Sequence, residues 1–125
     1  MAGRYCGCGM GGRPRKKWKC AGCGFVHDGE SAPDKCAKCG APKEKFVLLD
    51  DGAANLVERS RHTNMLHARL IALGREMEGV CKDGIKDDLD PNCVAVFNKA
   101  LAHAYETMKL SMTEMQGHMG KGKWG

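Results

Sequence analysis

The sequence predicts an α+β chain in which a small metal-stapled ribbon precedes a long antiparallel helical hairpin. Three observations carry that expectation. Cys20, Cys23, Cys36 and Cys39 are spaced C-x2-C-x12-C-x2-C. In this pattern two short loops close a tetrahedral four-thiolate cage around one metal ion. After Phe46-Val47-Leu48-Leu49 the apolar residues recur in steps of four and three, the spacing of amphipathic helices. Finally, 125 residues, 42% of them hydrophobic, suffice for one small bundle beside a metal-held module but not for a large catalytic domain.

The first element is a leader over residues 1–16. The net charge of +5 originates there: residues 1–19 hold six basic groups (Arg4, Arg13, Arg15, Lys16, Lys17, Lys19) and no acid. A Gly-rich basic segment buries little, so a flexible tail is expected. It is short, with only Tyr5 and Trp18 for stacking, so nucleic acid is not the expected partner. Cys6 and Cys8 lie in this leader. With Cys81 and Cys93 they form a second set of four thiols, available for a redox role or a second metal or iron–sulfur site.

Residues 17–49 carry the chemistry. Soft thiolates select zinc or iron over calcium or magnesium. Gly24 and Gly40 each follow the second cysteine of a pair. There a glycine permits the left-handed backbone that turns N–H groups toward thiolate sulfurs. Such bonds stabilise an anionic cluster and tune its potential. Trp18, Phe25 and Phe46 supply a miniature core of the size that a metal completes.

This stretch resembles the rubredoxin-like domain of the rubrerythrin family. The shared features are an aromatic two residues before the first cysteine, Cys20-Ala21-Gly22-Cys23-Gly24 followed by Phe25-Val26-His27, Ala32-Pro33 before the second pair, and the closing Ala41-Pro42-Lys43 with Phe46. The resemblance implies a rubredoxin-like fold and one iron per chain on Cys20, Cys23, Cys36 and Cys39, passing single electrons to a redox protein partner. One departure stands out: the family usually carries this module after a ferritin-like bundle, whereas here it comes first.

Residues 50–125 are expected to form the hairpin. Asp50-Asp51-Gly52 gives a turn with acids suited to a helix N-terminus. Leu56, Thr63, Leu66, Leu70, Leu73, Met77 and Val80 define the stripe expected to face the second helix, and Cys81 to Leu89 reads as the connection. Asp90-Pro91 restarts a helix as N-cap and first position. Val94, Phe97, Leu101, Ala104, Met108 and Met115 form its facing stripe, and the tail from Gly117 should fray. Two helices of about 25 residues each cannot cover both sides of such stripes, so a homodimer forming a four-helix bundle is expected.

Further sites in the hairpin are weighed from the same residues. A di-iron bundle wants Glu-x-x-His, which is absent; Glu58/His62 and Glu114/His118 are spaced by four instead. A hairpin centred near residue 86 would bring these pairs to one end and place His67 opposite His103. Ordinary i,i+4 helix pairs explain the same spacing. His62, His67, His103 and His118 with Met65, Met108, Met112, Met115 and Met119 are the ligand types of haem or copper sites, although methionine at helical spacing is also core filler. Cys81 and Cys93, flanking the connection, offer a reversible disulfide or two packing thiols, and Cys93 in a first helical turn has a setting that lowers thiol pKa values.

Three readings follow. One is an electron carrier with an Fe(Cys)4 centre. Another is a zinc-ribbon interaction module whose hairpin binds a protein partner, and a third is a peroxide- or oxygen-reducing enzyme with an extra metal or haem in the dimeric bundle. No catalytic residues are singled out. With no long apolar run and no signal-peptide h-region, a cytoplasmic chain without membrane contact is expected.

Overall fold

The computed structural model describes residues 15–125, so Cys6, Cys8 and nearly all of the basic leader lie outside the described residues. The chain divides into two compact units. One holds the described residues up to His62 together with Lys121–Gly125; the other is Thr63–Gly120.

The first unit is built on a three-stranded antiparallel sheet: β1 (Lys17–Cys20), β2 (Val26–Asp28) and β3 (Phe46–Leu48), with β1 in the centre. The register sets Lys17 opposite Asp28, and Cys20 opposite Phe46. Trp18 and Phe25 flank a buried cluster of Cys20, Ala32, Cys36 and Phe46, which is the expected miniature core. The Trp18 Nε1–H donates to the Gly29 carbonyl at 3.0 Å, tying the β1–β2 hairpin to its outgoing chain. Helix α1 (Asp51–Asp87) starts directly after the sheet. Asp50 serves as its cap, with Oδ1 accepting from the Ala53 N–H at 2.8 Å, rather than as part of a separate turn.

A buried ion network welds the start of α1 to the sheet. Lys17 is 0% exposed; its Nζ donates to Asp28 Oδ2 at 3.0 Å and Glu58 Oε1 at 2.8 Å. Arg61 grips both oxygens of Asp28 from Nη1 and Nη2, at 2.7 and 2.8 Å. These bonds explain why the division between units falls inside α1 and not at its first residue. The expected fraying of the tail does not occur: Arg61 Nε donates to the Gly125 oxygen at 2.9 Å, and Gly125 packs on Val26 and Val57.

The network predicts an acid response. Arg61, assisted by Lys17, outweighs burial and holds the Asp28 carboxyl at about 2, below the usual carboxylate range. A depressed folded-state value means that the stabilisation is complete above about pH 4 and is lost as pH falls toward 2. The stability difference between the wild type and Asp28→Asn is therefore expected to be constant from pH 7 to 5 and to shrink between about pH 4 and 2. Denaturant melts across that range measure it, and any metal contribution common to both proteins cancels.

The second unit is an antiparallel pair formed by the rest of α1 and by α2 (Pro91–Met119). Asp90 caps α2, accepting from the Cys93 N–H at 2.7 Å, with Pro91 in the first helical position as expected. The connection is shorter than expected, because residues 81–87 remain helical and only Asp88, at φ 49°, to Asp90 link the helices. Gly84 does not break α1; it makes room for the ring of Phe97, and Gly74 likewise receives the Met108 side chain.

That packing corrects the expected α1 stripe. On α2 the expected residues do face inward: Ala104 and Met108 are buried, and Val94, Phe97, Leu101 and Met115 are half-buried. On α1 from residue 63 onward the buried or half-buried positions are Thr63, which belongs to the expected stripe, and Asn64, His67, Ile71, Gly74, Glu78, Cys81, Gly84 and Ile85, whereas Leu66, Leu70, Leu73, Met77 and Val80 are exposed. The bulky α2 side chains require small partners, and the glycine-bearing face of α1 supplies them.

Candidate metal centre

Each cysteine pair sits in the same backbone device. The Cys20 N–H donates to the Phe25 carbonyl and the Gly24 N–H to the Cys20 carbonyl, both at 2.8 Å. In the second loop the Cys36 N–H donates to the Ala41 carbonyl and the Gly40 N–H to the Cys36 carbonyl, both at 2.9 Å. Gly24 and Gly40 close these loops at φ 86° and 76°, the left-handed region expected of them. The two loops thus present four thiols as two matching halves of one cage.

The sulfur geometry suits a single metal ion. Cys20 Sγ lies 3.7 Å from Cys39 Sγ, and Cys23 Sγ 3.5 Å from Cys36 Sγ. All four sulfurs fall within 4.8 Å of one another. A tetrahedral centre with metal–sulfur bonds of about 2.3 Å has sulfur–sulfur edges of about 3.8 Å. The donor set is all thiolate, which favours soft or borderline metals.

The surroundings favour ionised sulfur at Cys20 and Cys36. Backbone N–H groups of Cys23 and then Gly22 lower the Cys20 pKa against the effect of burial. At Cys36 burial opposes ionisation, yet the N–H groups of Cys39 and Lys38, with the neighbouring sulfurs, hold the thiol at about 6. At Cys23 the Phe25 N–H favours the thiolate, but burial and the sulfurs of Cys36, Cys39 and Cys20 push it up to about 12. Three close anionic neighbours make the fourth deprotonation costly, and a metal cation is the group that neutralises such a cluster. The N–H donors expected near Gly24 and Gly40 are therefore those of Gly22, Cys23, Phe25, Lys38 and Cys39.

The first cysteine of each pair is buried, Cys20 at 1% exposure and Cys36 at 4%, whereas Cys23 and Cys39 are exposed. One edge of the cage is thus anchored in the core and the other meets solvent.

Among the described residues the remaining expected sites are not assembled. Among the described residues the four cysteines are the only metal-ligating cluster of three or more groups. The contacts of Gly74 with Met108 and of Asn64 with His118 centre the hairpin near residue 91, not 86. Glu114 is then level with about residue 68, while Glu58 is engaged with Lys17 and Arg61. His67 meets Ser111 at 3.1 Å rather than His103, which is exposed. The buried His118 bonds Asn64 Oδ1 through Nδ1 at 2.6 Å and packs edge-on against His67, ring centroids 5.9 Å apart. Met65, Met112 and Met119 point outward, away from any shared site with these histidines.

Cys81 and Cys93 are free thiols. The register places Cys81 level with about residue 101, so it lies about 12 Å along the axis from Cys93, beyond the Cα separation a disulfide spans. The Cys93 thiol is also raised and not lowered: its bond with Asp90 comes first, then burial and the Asp87 charge. The local carboxylates outweigh the helix N-terminus.

The Lys17–Asp28–Glu58–Arg61 network was not legible beforehand. Lys17 reads as one more cation of the leader, and nothing local in the sequence joins it to residues 58 and 61. No helix among the described residues is long and apolar enough to cross a membrane.

Comparison with known proteins agrees with this geometry. The family model for the rubrerythrin rubredoxin-like domain matches residues 18–47. Reverse rubrerythrin-1 of Clostridium acetobutylicum is 56% identical over 36 residues, covering 29% of this chain and 20% of that protein. Rubrerythrin of Nitratidesulfovibrio vulgaris is 52% identical over 33 residues, covering 26% of this chain and 17% of that protein. The chain thus matches no more than about a fifth of the length of these relatives. No solved structure matches the chain. Two relatives, one family model and the shape of the thiol cage converge on one statement: residues 18–47 match the rubredoxin-like domain of the rubrerythrin family and are followed here by a two-helix region.

Proposed function

We propose that the chain is a one-electron transfer protein whose centre is a single iron held by Cys20, Cys23, Cys36 and Cys39. The observation that carries this reading is the split exposure of the cage. Cys20 and Cys36 fix it in the core, while Cys23 and Cys39 bring thiolate sulfur to the surface. Iron in a four-thiolate site supplies a ferric–ferrous couple. The polypeptide then does three things. The glycine-closed loops hold the sulfurs in one spacing, which limits rearrangement when charge changes. Peptide N–H groups bonded to Cys20, Cys23 and Cys36 favour the anionic thiolates and set the potential. Trp18, Phe25 and Phe46 shield the inner edge from water. A redox protein docking over Cys23 and Cys39 would exchange electrons through those two sulfurs.

The test is metal content and visible spectrum of protein purified anaerobically from its native source, because overexpression hosts load zinc into iron–thiolate sites. One iron per chain, with a thiolate-to-iron colour that bleaches on reduction and returns on oxidation, is the expected result. One zinc per chain and no colour overturns the electron-transfer reading and leaves a structural ribbon.

A further inference from the structure

The face of α1 that α2 leaves uncovered is the more apolar of its two faces. Leu66, Leu70, Leu73, Met77 and Val80 are 53%, 41%, 47%, 41% and 62% exposed. The face packed on α2 instead offers Asn64, His67, Gly74, Glu78 and Cys81, with Ile71 and Ile85 as its large aliphatic side chains. Burying mostly small and polar side chains while exposing five large apolar ones in a row reverses the arrangement of a self-sufficient hairpin. The exposed five repeat in steps of four, three, four and three, a coiled-coil seam about 21 Å long.

The charges beside the seam select its partner. Arg69 and Glu76 lie one heptad apart on the side of the stripe away from α2, and neither forms an ion pair among the described residues. We propose that this seam joins two copies of the chain, α1 against α1 in antiparallel register. Leu70 then meets the partner's Leu73 and Leu66 meets the partner's Met77. In that register Arg69 falls beside the partner's Glu76, and twofold symmetry repeats the pair. A parallel seam would set Arg69 and Glu76 toward Gly74 and Cys81 and satisfy neither charge. Opposite charges placed so that the pattern complements itself under a twofold axis point to a second copy, not to an unrelated helix. The inference does not depend on which metal the thiols hold.

The experiment is sedimentation velocity on the full chain over a concentration series. The wild type is expected to dimerise at micromolar concentrations. Leu70→Glu/Leu73→Glu should raise the dissociation constant by about 100-fold or more without loss of helical circular dichroism, because both side chains are exposed in the single chain. Arg69→Glu or Glu76→Arg alone should weaken the dimer by roughly tenfold, two pairs becoming two repulsions. The combined reversal Arg69→Glu/Glu76→Arg should return it to near the wild-type value. A wild type that is monomeric at roughly 100 μM, a dimer that survives the Leu70 and Leu73 substitutions, or a combined reversal as weak as the single ones overturns the proposal.

Discussion

Cys20→Ser in the full chain is expected to abolish tight metal binding and unfold residues 17–49, while Thr63–Gly120 keeps its helices. The reason lies in the composition of the core. Its buried cluster consists of Cys20, Ala32, Cys36 and Phe46, so two of the four members are ligand candidates. A domain of about 33 residues lies below the size at which apolar burial alone sustains a fold. A structural four-ligand metal site contributes about 10–16 kcal/mol of apparent binding energy, comparable with or larger than the whole stability of a typical domain, about 5–15 kcal/mol. Losing one inner ligand therefore removes more than the remaining packing can replace.

Cys39→Ser should separate from Cys20→Ser in degree. Cys39 is exposed, so a serine hydroxyl there stays hydrated and the other three sulfurs, two of them anchored in the core, keep their positions. Metal should be retained weakly and lost to a chelator. At Cys20, 1% exposed, the serine hydroxyl is confined beside Phe46 and three sulfurs, and no stoichiometric metal should remain. Metal analysis after chelator dialysis, with amide spectra of residues 17–49, distinguishes the two. A Cys20→Ser protein that holds one metal per chain after dialysis would sink the assignment of these ligands.

The metal centre was legible because its information is local. The thiols, the glycines after each pair and the aromatics of the core all lie within residues 17–49, and each constrains its own loop. The start of α2 was legible for the same reason, since Asp90 and Pro91 act within one turn. The hairpin register was not. The apolar period of Leu66, Leu70, Leu73 and Met77 marks a face but not the surface that covers it. What fixes the register is steric fit between distant residues, Met108 on Gly74 and Phe97 on Gly84. A glycine in a helical pattern reads as a weak point unless its opposite residue is known. The ion network was hidden in the same way, because Lys17, Asp28, Glu58 and Arg61 come together only after both sheet and helix exist.

That network yields an asymmetry in which removing the anions should cost far more than removing the cation they surround. Lys17 is 0% exposed, whereas Asp28 and Glu58 are 23% and 36% exposed. In Lys17→Met the two carboxylates keep Arg61 and partial access to water, and the methionine fills a site already closed to solvent. The cost should be about 1 kcal/mol. In Asp28→Asn/Glu58→Gln the amide oxygens still accept bonds, but the ammonium is buried without a negative charge, and Arg61 adds a second uncompensated cation nearby. Breaking a buried pair from one side typically costs about 3–5 kcal/mol, and the double substitution should reach that range. Hydrogen exchange of the Lys17–Cys20 amides in zinc-loaded protein measures the effect at β1 itself. Equal losses in the two variants would mean that the carboxylates, and not the buried ammonium, determine the energy of the network. If the buried ammonium does determine it, as expected, adding Lys17→Met to the double variant should restore most of the stability, because it removes the one charge that water cannot reach.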